Sequence, residues 1–311
     1  MYNYKSVVLG HCDLDQMGCN ICLKMAKIPD PRFLSTNYLN LQERIQDLKE
    51  IVKYNAIEII YITDISFSEY RTELFEIFNL GIEVVFIDHH LYPSDFFSQV
   101  GLNVNVVVEK SKSASTLVYE YFELHLLNNS DLDRLIKVIN LYDLFISEDP
   151  LYTISSYLND YFWTKTRAHQ NVEHLIFTHL DIFSQPDFIK FCRHTKSDNQ
   201  SHIDYLERKK LILRRSSGAV IFSNSLVDLL CIREFNEGRK YVILANQRGI
   251  VMIRFNKNAN ISLTYKETIK IKVSGNMYIG HENAFSVKVP VEELIPRIKE
   301  IDGIISSLIN S

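Results

Sequence analysis

The stretch VVLGHCDLDQMG, residues 7–18, sets His11, Asp13 and Asp15 at alternate positions directly behind a short apolar run. Two carboxylates that close repel each other, so the cluster costs stability unless a positive charge sits among them. The same residue types recur behind two further apolar runs. Asp64 follows AIEIIYIT (56–63), and Asp88, His89 and His90 follow IEVVFI (82–87). Carboxylates and imidazoles without thiolates suit a hard or borderline divalent ion, with manganese or magnesium ahead of zinc. Five or six such ligands exceed the needs of one catalytic ion with open positions. They suit two ions roughly 3.5–4 Å apart, an arrangement that hydrolyses phosphate esters without a serine or cysteine nucleophile.

Strands must deliver these residues. Residues 5–10, 56–63, 82–87 and 104–109 read as strands, and 18–27, 41–55, 68–81, 113–127 and 131–145 as helices. Repeated strand–helix alternation predicts an α/β fold with a mostly parallel sheet covered on both faces. Each acidic group directly follows its strand, so all fall on one edge of that sheet. Ligands of open parallel sheets bind beyond the carboxyl ends of the strands, which is this edge.

The first 150 residues are therefore read as the catalytic domain. Residues 151–215 carry no strand signal and read as a helical connecting segment, closing in IDYLERKKLILRR with a solvated basic face. Strand signals return over 216–311 in GAVIFS, RKYVILAN, GIVMIRFN and TIKIKVSG, followed by the helix VEELIPRIKEIDGIISSLI. This part reads as a smaller α/β domain. His169, His174 and His179 recur every five residues, a spacing that scatters them around a helix, so they read as surface histidines.

Composition narrows the partners. A net charge of −4 over 311 residues lacks the basic excess of a protein that grips long nucleic acid, and favours a small or short anionic ligand. Five cysteines make no disulfide framework, and Cys19 and Cys22 read as buried thiols. No run approaches the ~18 consecutive apolar residues of a membrane span. The N-terminus shows no signal-peptide pattern, so the cytoplasm is the expected location. The sequence leaves oligomeric state open, a homodimer included.

HCDLDQMG, ITDIS, FIDHH and NLYDLF, in this order, resemble the four motifs of the DHH phosphoesterase superfamily, and SKSASTLVYEYF (111–122) resembles the segment between the third and fourth. YVILANQRGIVMIRF and GHENA are most similar to the type B nanoRNases, bacterial oligoribonucleases with a DHH-associated C-terminal domain. The resemblance implies two manganese ions per chain, with magnesium or cobalt as substitutes. It implies that His11 and Asp13 hold one ion, that Asp15, His89 and Asp143 hold the other, and that Asp64 bridges. Asp131, Asp133 and Asp149 lie near Asp143 in sequence and are the competing carboxylates. Asp88 would orient a histidine ring, and His90 would face the phosphate and donate a proton to the leaving oxygen.

In the second domain the resemblance points to Arg254, Gly280 and His281 as substrate-binding residues. GNMYIGHENA departs from the family's glycine-rich run by placing Met277, Tyr278 and Ile279 where glycines are usual, and Tyr278 there could stack on a base. Gln16 and Met17 depart from the first motif without removing a ligand. The implied reaction is hydrolysis of short single-stranded RNA, DNA or dinucleotides to mononucleotides. The alternatives are a single-strand exonuclease on longer nucleic acid, a cyclic nucleotide or dinucleotide phosphodiesterase, and a non-catalytic nucleotide sensor.

Overall fold

The computed structural model describes residues 4–38, 40–167, 176–177, 179–223, 227–256, 259, 261, 268–269, 279–281 and 284–310. The chain divides into two compact units, Met1–Ile189 and Lys190–Ser311. Among the described residues no helix is long and apolar enough to cross a membrane.

The first unit is built on a five-stranded sheet in the order β2-β1-β3-β4-β5, with every pair parallel. Its strands are β1 (Ser6–Gly10), β2 (Pro31–Ser35), β3 (Ile59–Thr63), β4 (Glu83–Asp88) and β5 (Val104–Val108). β1 is buried along its whole length. That is the signature of a strand covered on both faces, and the reason these strands read as continuous apolar runs. The order reverses at β1, whose neighbours are β2 on one side and β3 on the other. A crevice therefore opens between the carboxyl ends of β1 and β3. The register brings Gly10 level with Thr63 and Thr63 level with Ile87, so these three central strands finish in one row.

β2 carries no legible strand signal. It lies at the sheet edge, begins with Pro31 and is largely solvated, so it needs neither an apolar run nor every ladder hydrogen bond. Helix α1 runs Leu14–Met25, four residues earlier than its apolar pattern suggests. The reason is that Asp15 and Gln16 are buried although polar, which breaks the pattern. Four further helices follow in the α/β alternation: α2 (Leu41–Tyr54), α3 (Arg71–Phe78), α4 (Ala114–Tyr121) and α5 (Ser130–Asp143). One side of the sheet buries Leu9, Ile60, Ile62 and Phe86 against Leu41, Ile45, Leu48, Leu74 and Ile77.

Beyond them come α6 (Tyr152–Arg167) and α7 (Pro186–Arg208). The expected connecting helix over 203–215 is cut short: α7 stops at Arg208, Lys210 takes a positive φ of 55°, and Ile212–Arg214 forms strand β6. Two of the basic residues there are internally paired. Arg214 bonds Glu207 and the buried Glu234, and Arg215 bonds the buried Asp302. Of the three histidines read as surface, His179 is exposed and the other two lie outside the described residues.

The second unit holds a mixed sheet in the order β10-β11-β9-β8-β7-β6. Its strands after β6 are β7 (Gly218–Phe222), β8 (Tyr241–Ala245), β9 (Ile250–Phe255), β10 (Ile279–His281) and β11 (Ala284–Lys288). Only β7 and β8 run parallel among its described pairs. The helix between them, α8 (Val227–Asn236), is their crossover, which the sequence reading lacked. Helix α9 (Leu294–Asn310) lays Leu294, Ile298, Ile301 and Ile305 on Ile243, Val251, Ile253 and Phe255. Pro296 falls in its first turn, where no intrahelical N–H is needed. The strand expected over 268–275 lies outside the described residues beyond Thr268 and Ile269.

Gly18 marks a close approach of three helices. A Cβ there would stand 2.7 Å from Ser115 Cβ and 2.9 Å from Ile139 Cδ1, on α4 and α5. Ser115 Cβ cannot yield without moving its helix. Gly18→Ala should therefore lower unfolding free energy by about 1–3 kcal/mol despite its better helix propensity, as read by urea denaturation. An unchanged or raised midpoint would show that the helices part freely here.

Candidate metal centre

Past the row formed by Gly10, Thr63 and Ile87, the chain leaves β1, β3 and β4 through His11, Asp64 and Asp88. Asp64 turns away from the sheet at a φ of 54°, a left-handed conformation that is uncommon outside glycine and that aspartate tolerates better than most. Its N–H still bonds the Ile87 carbonyl at 3.2 Å. The strained turn is thus fixed from the neighbouring strand.

The side chains gather into compact groups. Ligand atoms of His11, Asp13 and Asp64 lie within 4.8 Å of one another, as do those of Asp15, His89 and Asp143. The buried His89 joins the two groups. Its Nε2 stands 3.4 Å from Asp64 Oδ1, and its Nδ1 stands 3.4 Å from Asp143 Oδ2. His11 Nδ1 meets Asp13 Oδ2 at 2.6 Å. All six residues expected from the motifs to be ligands are in these two groups.

Local structure explains why each one points inward. Asp13 caps α1, accepting the Gln16 N–H on Oδ1 at 3.1 Å. Asp15 accepts the N–H groups of Ala114 at 2.7 Å and Ser115 at 3.0 Å, at the start of α4. A helix N-terminus favours such a negative charge. Asn140 on α5 accepts from Ser113 N–H at 2.8 Å and from the Thr116 hydroxyl at 3.2 Å, fixing α4 against α5. Asp143 lies three residues further on α5 and so faces the same way. The competing carboxylates are engaged or turned elsewhere: Asp133 by Tyr119, Asp149 by Lys137, and Asp131 in solvent.

Electrostatics show what such crowding costs. Burial, then repulsion from Asp13, Asp15 and Asp143, holds the Asp64 carboxyl well above the usual carboxylate range. Burial also raises Asp143 to about 8 against the pull of His89, and raises Asp15. Burial opposes the charged form of Asp13 too, but the hydrogen bond and charge of His11 outweigh it and hold that carboxyl low. His89 is pushed down by burial and up further by Asp143 and Asp15, so it ends raised. Asp64 Oδ2 is buried and accepts no hydrogen bond. Charged oxygens facing one another with an acceptor to spare fit hard divalent cations.

Asp88, His89 and His90 also approach Asp64 as a further candidate group. Both oxygens of Asp88 are already used, however: Oδ1 by His90 Nδ1 at 2.7 Å and Oδ2 by the Tyr92 hydroxyl at 2.5 Å. Burial raises the Asp88 carboxyl, but the charge and hydrogen bond of His90 lead the effects that bring it to about 2. Asp88 thus turns the His90 ring so that Nε2 faces away from it.

In the sequence Gln16 is only a departure from the motif. It is a buried link: its amide donates to Asn20 Oδ1 at 2.8 Å and accepts the Thr63 hydroxyl at 2.8 Å. It rests on Gly10, where a Cβ would fall 2.1 Å from the amide. It thereby ties the helix bearing Asp13 and Asp15 to the strand end bearing Asp64. Cys19 and Cys22 are buried free thiols, as their context suggested.

In the second unit Arg254 is half-buried on β9 and Gly280 and His281 lie on β10. β9 is flanked by β8 and β11, so Arg254 is no edge-strand charge. The register sets His281 opposite Ala284 and Ala284 opposite Arg254, one row across three strands. Met277 and Tyr278 lie outside the described residues.

Residues 5–144 match the N-terminal domain of the DHH family. This part of the chain is a DHH domain. With its Asp/His cluster, it makes the protein a hydrolase of phosphoester bonds. No curated protein sequence matches the chain. Among solved structures, exonuclease RecJ bound to manganese shares 15% identity over 97% of this chain and 90% of its own, with a TM-score of 0.58. RecJ from Thermus thermophilus in complex with Mn2+ shares 12% over 97% of this chain and 52% of its own, at 0.56. This chain thus spans about half of that RecJ. The pGpG-specific phosphodiesterase PggH from Vibrio cholerae shares 12% over 98% and 99%, also at 0.56. Identities this low establish a shared fold.

The DHH domain's two ligand groups meet at Asp64, so Asp64→Asn tests both. Metal-free Asp64→Asn should melt at or above wild type, since an amide replaces a carboxylate that its neighbours repel. Manganese at about 100 times its dissociation constant should stabilise wild type by about 2.7 kcal/mol. The variant should gain little and lose turnover. Equal stabilisation of both proteins would exclude Asp64 as a shared ligand.

Proposed function

We propose that this protein is a two-manganese phosphodiesterase that hydrolyses short oligonucleotides or dinucleotides to mononucleotides. The observation that carries this reading is the meeting of two three-residue ligand groups at Asp64 and His89, 3.4 Å apart. One ion is assigned to His11, Asp13 and Asp64, and the other to Asp15, His89 and Asp143, with Asp64 shared. Magnesium or cobalt are the substitutes. Two such ions, held there, would neutralise the phosphate and lower the pKa of the attacking water.

The chain's own residues supply the remainder. Water adds to phosphorus as the ester P–O bond breaks, and the departing oxygen requires a proton. His90 Nε2 is the atom assigned to give it, on a ring that Asp88 holds by Nδ1. Asp88, itself held by Tyr92, keeps that ring in one orientation. Arg254, Gly280 and His281 are assigned to substrate: a guanidinium is a natural phosphate clamp, and a glycine lets backbone N–H groups approach a phosphate.

Short substrates follow from charge. Affinity for a long polymer scales with the phosphates a protein neutralises, and this chain is acidic, at −4. Two of its basic residues after α7, Arg214 and Arg215, are committed to internal pairs. The shared fold with a pGpG-specific phosphodiesterase supports a linear dinucleotide, and that with RecJ keeps a single-strand exonuclease as the second reading.

With manganese present, hydrolysis should be fastest on RNA or DNA of about two to five residues, the lengths at which few phosphates need neutralising. The panel compares dinucleotides including pGpG, five-mers and twenty-mers, cyclic dinucleotides and pyrophosphate. Twenty-mers degraded as efficiently as dinucleotides at physiological salt would replace this reading with the exonuclease. His281→Ala should raise KM by about tenfold, the loss of one charge-assisted hydrogen bond, while manganese content stays at the wild-type value. Unchanged KM and kcat would make GHENA only a structural hairpin.

A further inference from the structure

Tyr38 borders the metal centre but belongs to none of the motifs. It follows the edge strand β2, in a segment that supplies no candidate ligand. Its ring tilts against that of His11, with centroids 5.6 Å apart. Its phenolic oxygen stands 3.5 Å from His90 Nε2, the nitrogen that Asp88 leaves facing outward. The same oxygen accepts the Ser66 N–H at 3.4 Å, and the Tyr38 carbonyl accepts the Tyr70 hydroxyl, also at 3.4 Å. The side chain is half-buried, so the ring is held while one edge stays accessible.

The surroundings decide what this hydroxyl can do. Asp13, Asp15, Asp64, Asp88 and Asp143 make the centre acceptor-rich, and carboxylates repel a phosphate. A phenol is protonated at neutral pH and offers one donor. Its oxygen accepts from Ser66, and its proton has only the long contact to His90 Nε2 to compete with a phosphate oxygen. The hydrogen bond between the Tyr38 hydroxyl and His90 Nε2 is long at 3.5 Å, so a phosphate oxygen can enter between the two polar heads. An oxygen of a bound phosphate fits a pair of donors placed this way.

We propose that Tyr38 is a substrate-contacting catalytic residue whose hydroxyl donates a hydrogen bond to a non-bridging phosphate oxygen beside His90. The inference rests on the phosphodiesterase reading for its substrate and on the geometry around His90 for its place. Tyr38 loses no proton in the reaction. Its contribution is a fixed donor aimed at charge that water would otherwise solvate.

Tyr38→Phe removes the oxygen and keeps the ring against His11. It should lower kcat/KM for pGpG by about 10- to 100-fold, the worth of a hydrogen bond to a charged group. It should weaken inorganic phosphate binding to the manganese-loaded protein, measured by calorimetry, while the manganese dissociation constant stays within twofold of wild type. Tyr38→Leu, which also removes the ring, should match the Phe variant in phosphate affinity. Phosphate affinity unchanged in Tyr38→Phe would overturn the proposal, and so would a manganese affinity that falls in step with activity. Weaker phosphate binding in the variant of a wild-type protein that cleaves no phosphodiester would uphold Tyr38 and remove the hydrolytic reading instead.

Discussion

Mutual repulsion among buried carboxylates is the constraint around which the first unit is arranged. Asp13, Asp15, Asp64, Asp88 and Asp143 converge at one sheet edge, and three of them are nearly inaccessible to water. Burial alone opposes their ionisation, and each neighbour adds to the penalty for the next. The structure meets that cost piecemeal. Asp13 takes a histidine and a helix N-terminus, Asp15 takes two backbone N–H groups, and Asp88 takes a histidine and a tyrosine. Asp64 and Asp143 receive least, and burial and their neighbours push both well above the usual carboxylate range. A site left this unsatisfied inside a well-packed domain is a site shaped for cations.

The sheet exists to hold that edge still. Parallel strands with level ends project the residues after β1, β3 and β4 into one plane, and helices on both faces exclude water from beneath. Gln16 and Asn140 show how the polar groups behind the site are enlisted. One ties α1 to the end of β3 and the other ties α4 to α5, so side-chain amides help set the distances among the carboxylates. Gly10 and Gly18 leave the space these contacts require.

The candidate ligand groups and the residues around them divide the polar contacts of the site between them. Asp88 does not need to bind a cation when its oxygens are spent on His90 and Tyr92, and it sits where it can decide which nitrogen of His90 faces the centre. Tyr38 approaches that nitrogen from a segment with no motif of its own. In the proposed reading, donors for a phosphate stand apart from the candidate cation ligands, so an anionic substrate would meet donors as well as carboxylates.

The sequence by itself determined the class of the fold and brought out the candidate ligands, because both are local. A buried parallel strand needs an apolar run, and a candidate ligand delivered by a strand end must follow that run immediately, as His11 and Asp64 do. Tertiary structure decided the rest. β2 has no apolar run because it is a solvated edge, and α8 and β6 became legible only through the strands they join. Asp143 prevailed over Asp131, Asp133 and Asp149 because only its position on α5 faces His89. Gln16 and Tyr38 gave no signal in one dimension. Their partners lie as many as 52 residues away, and only folding brings those groups together.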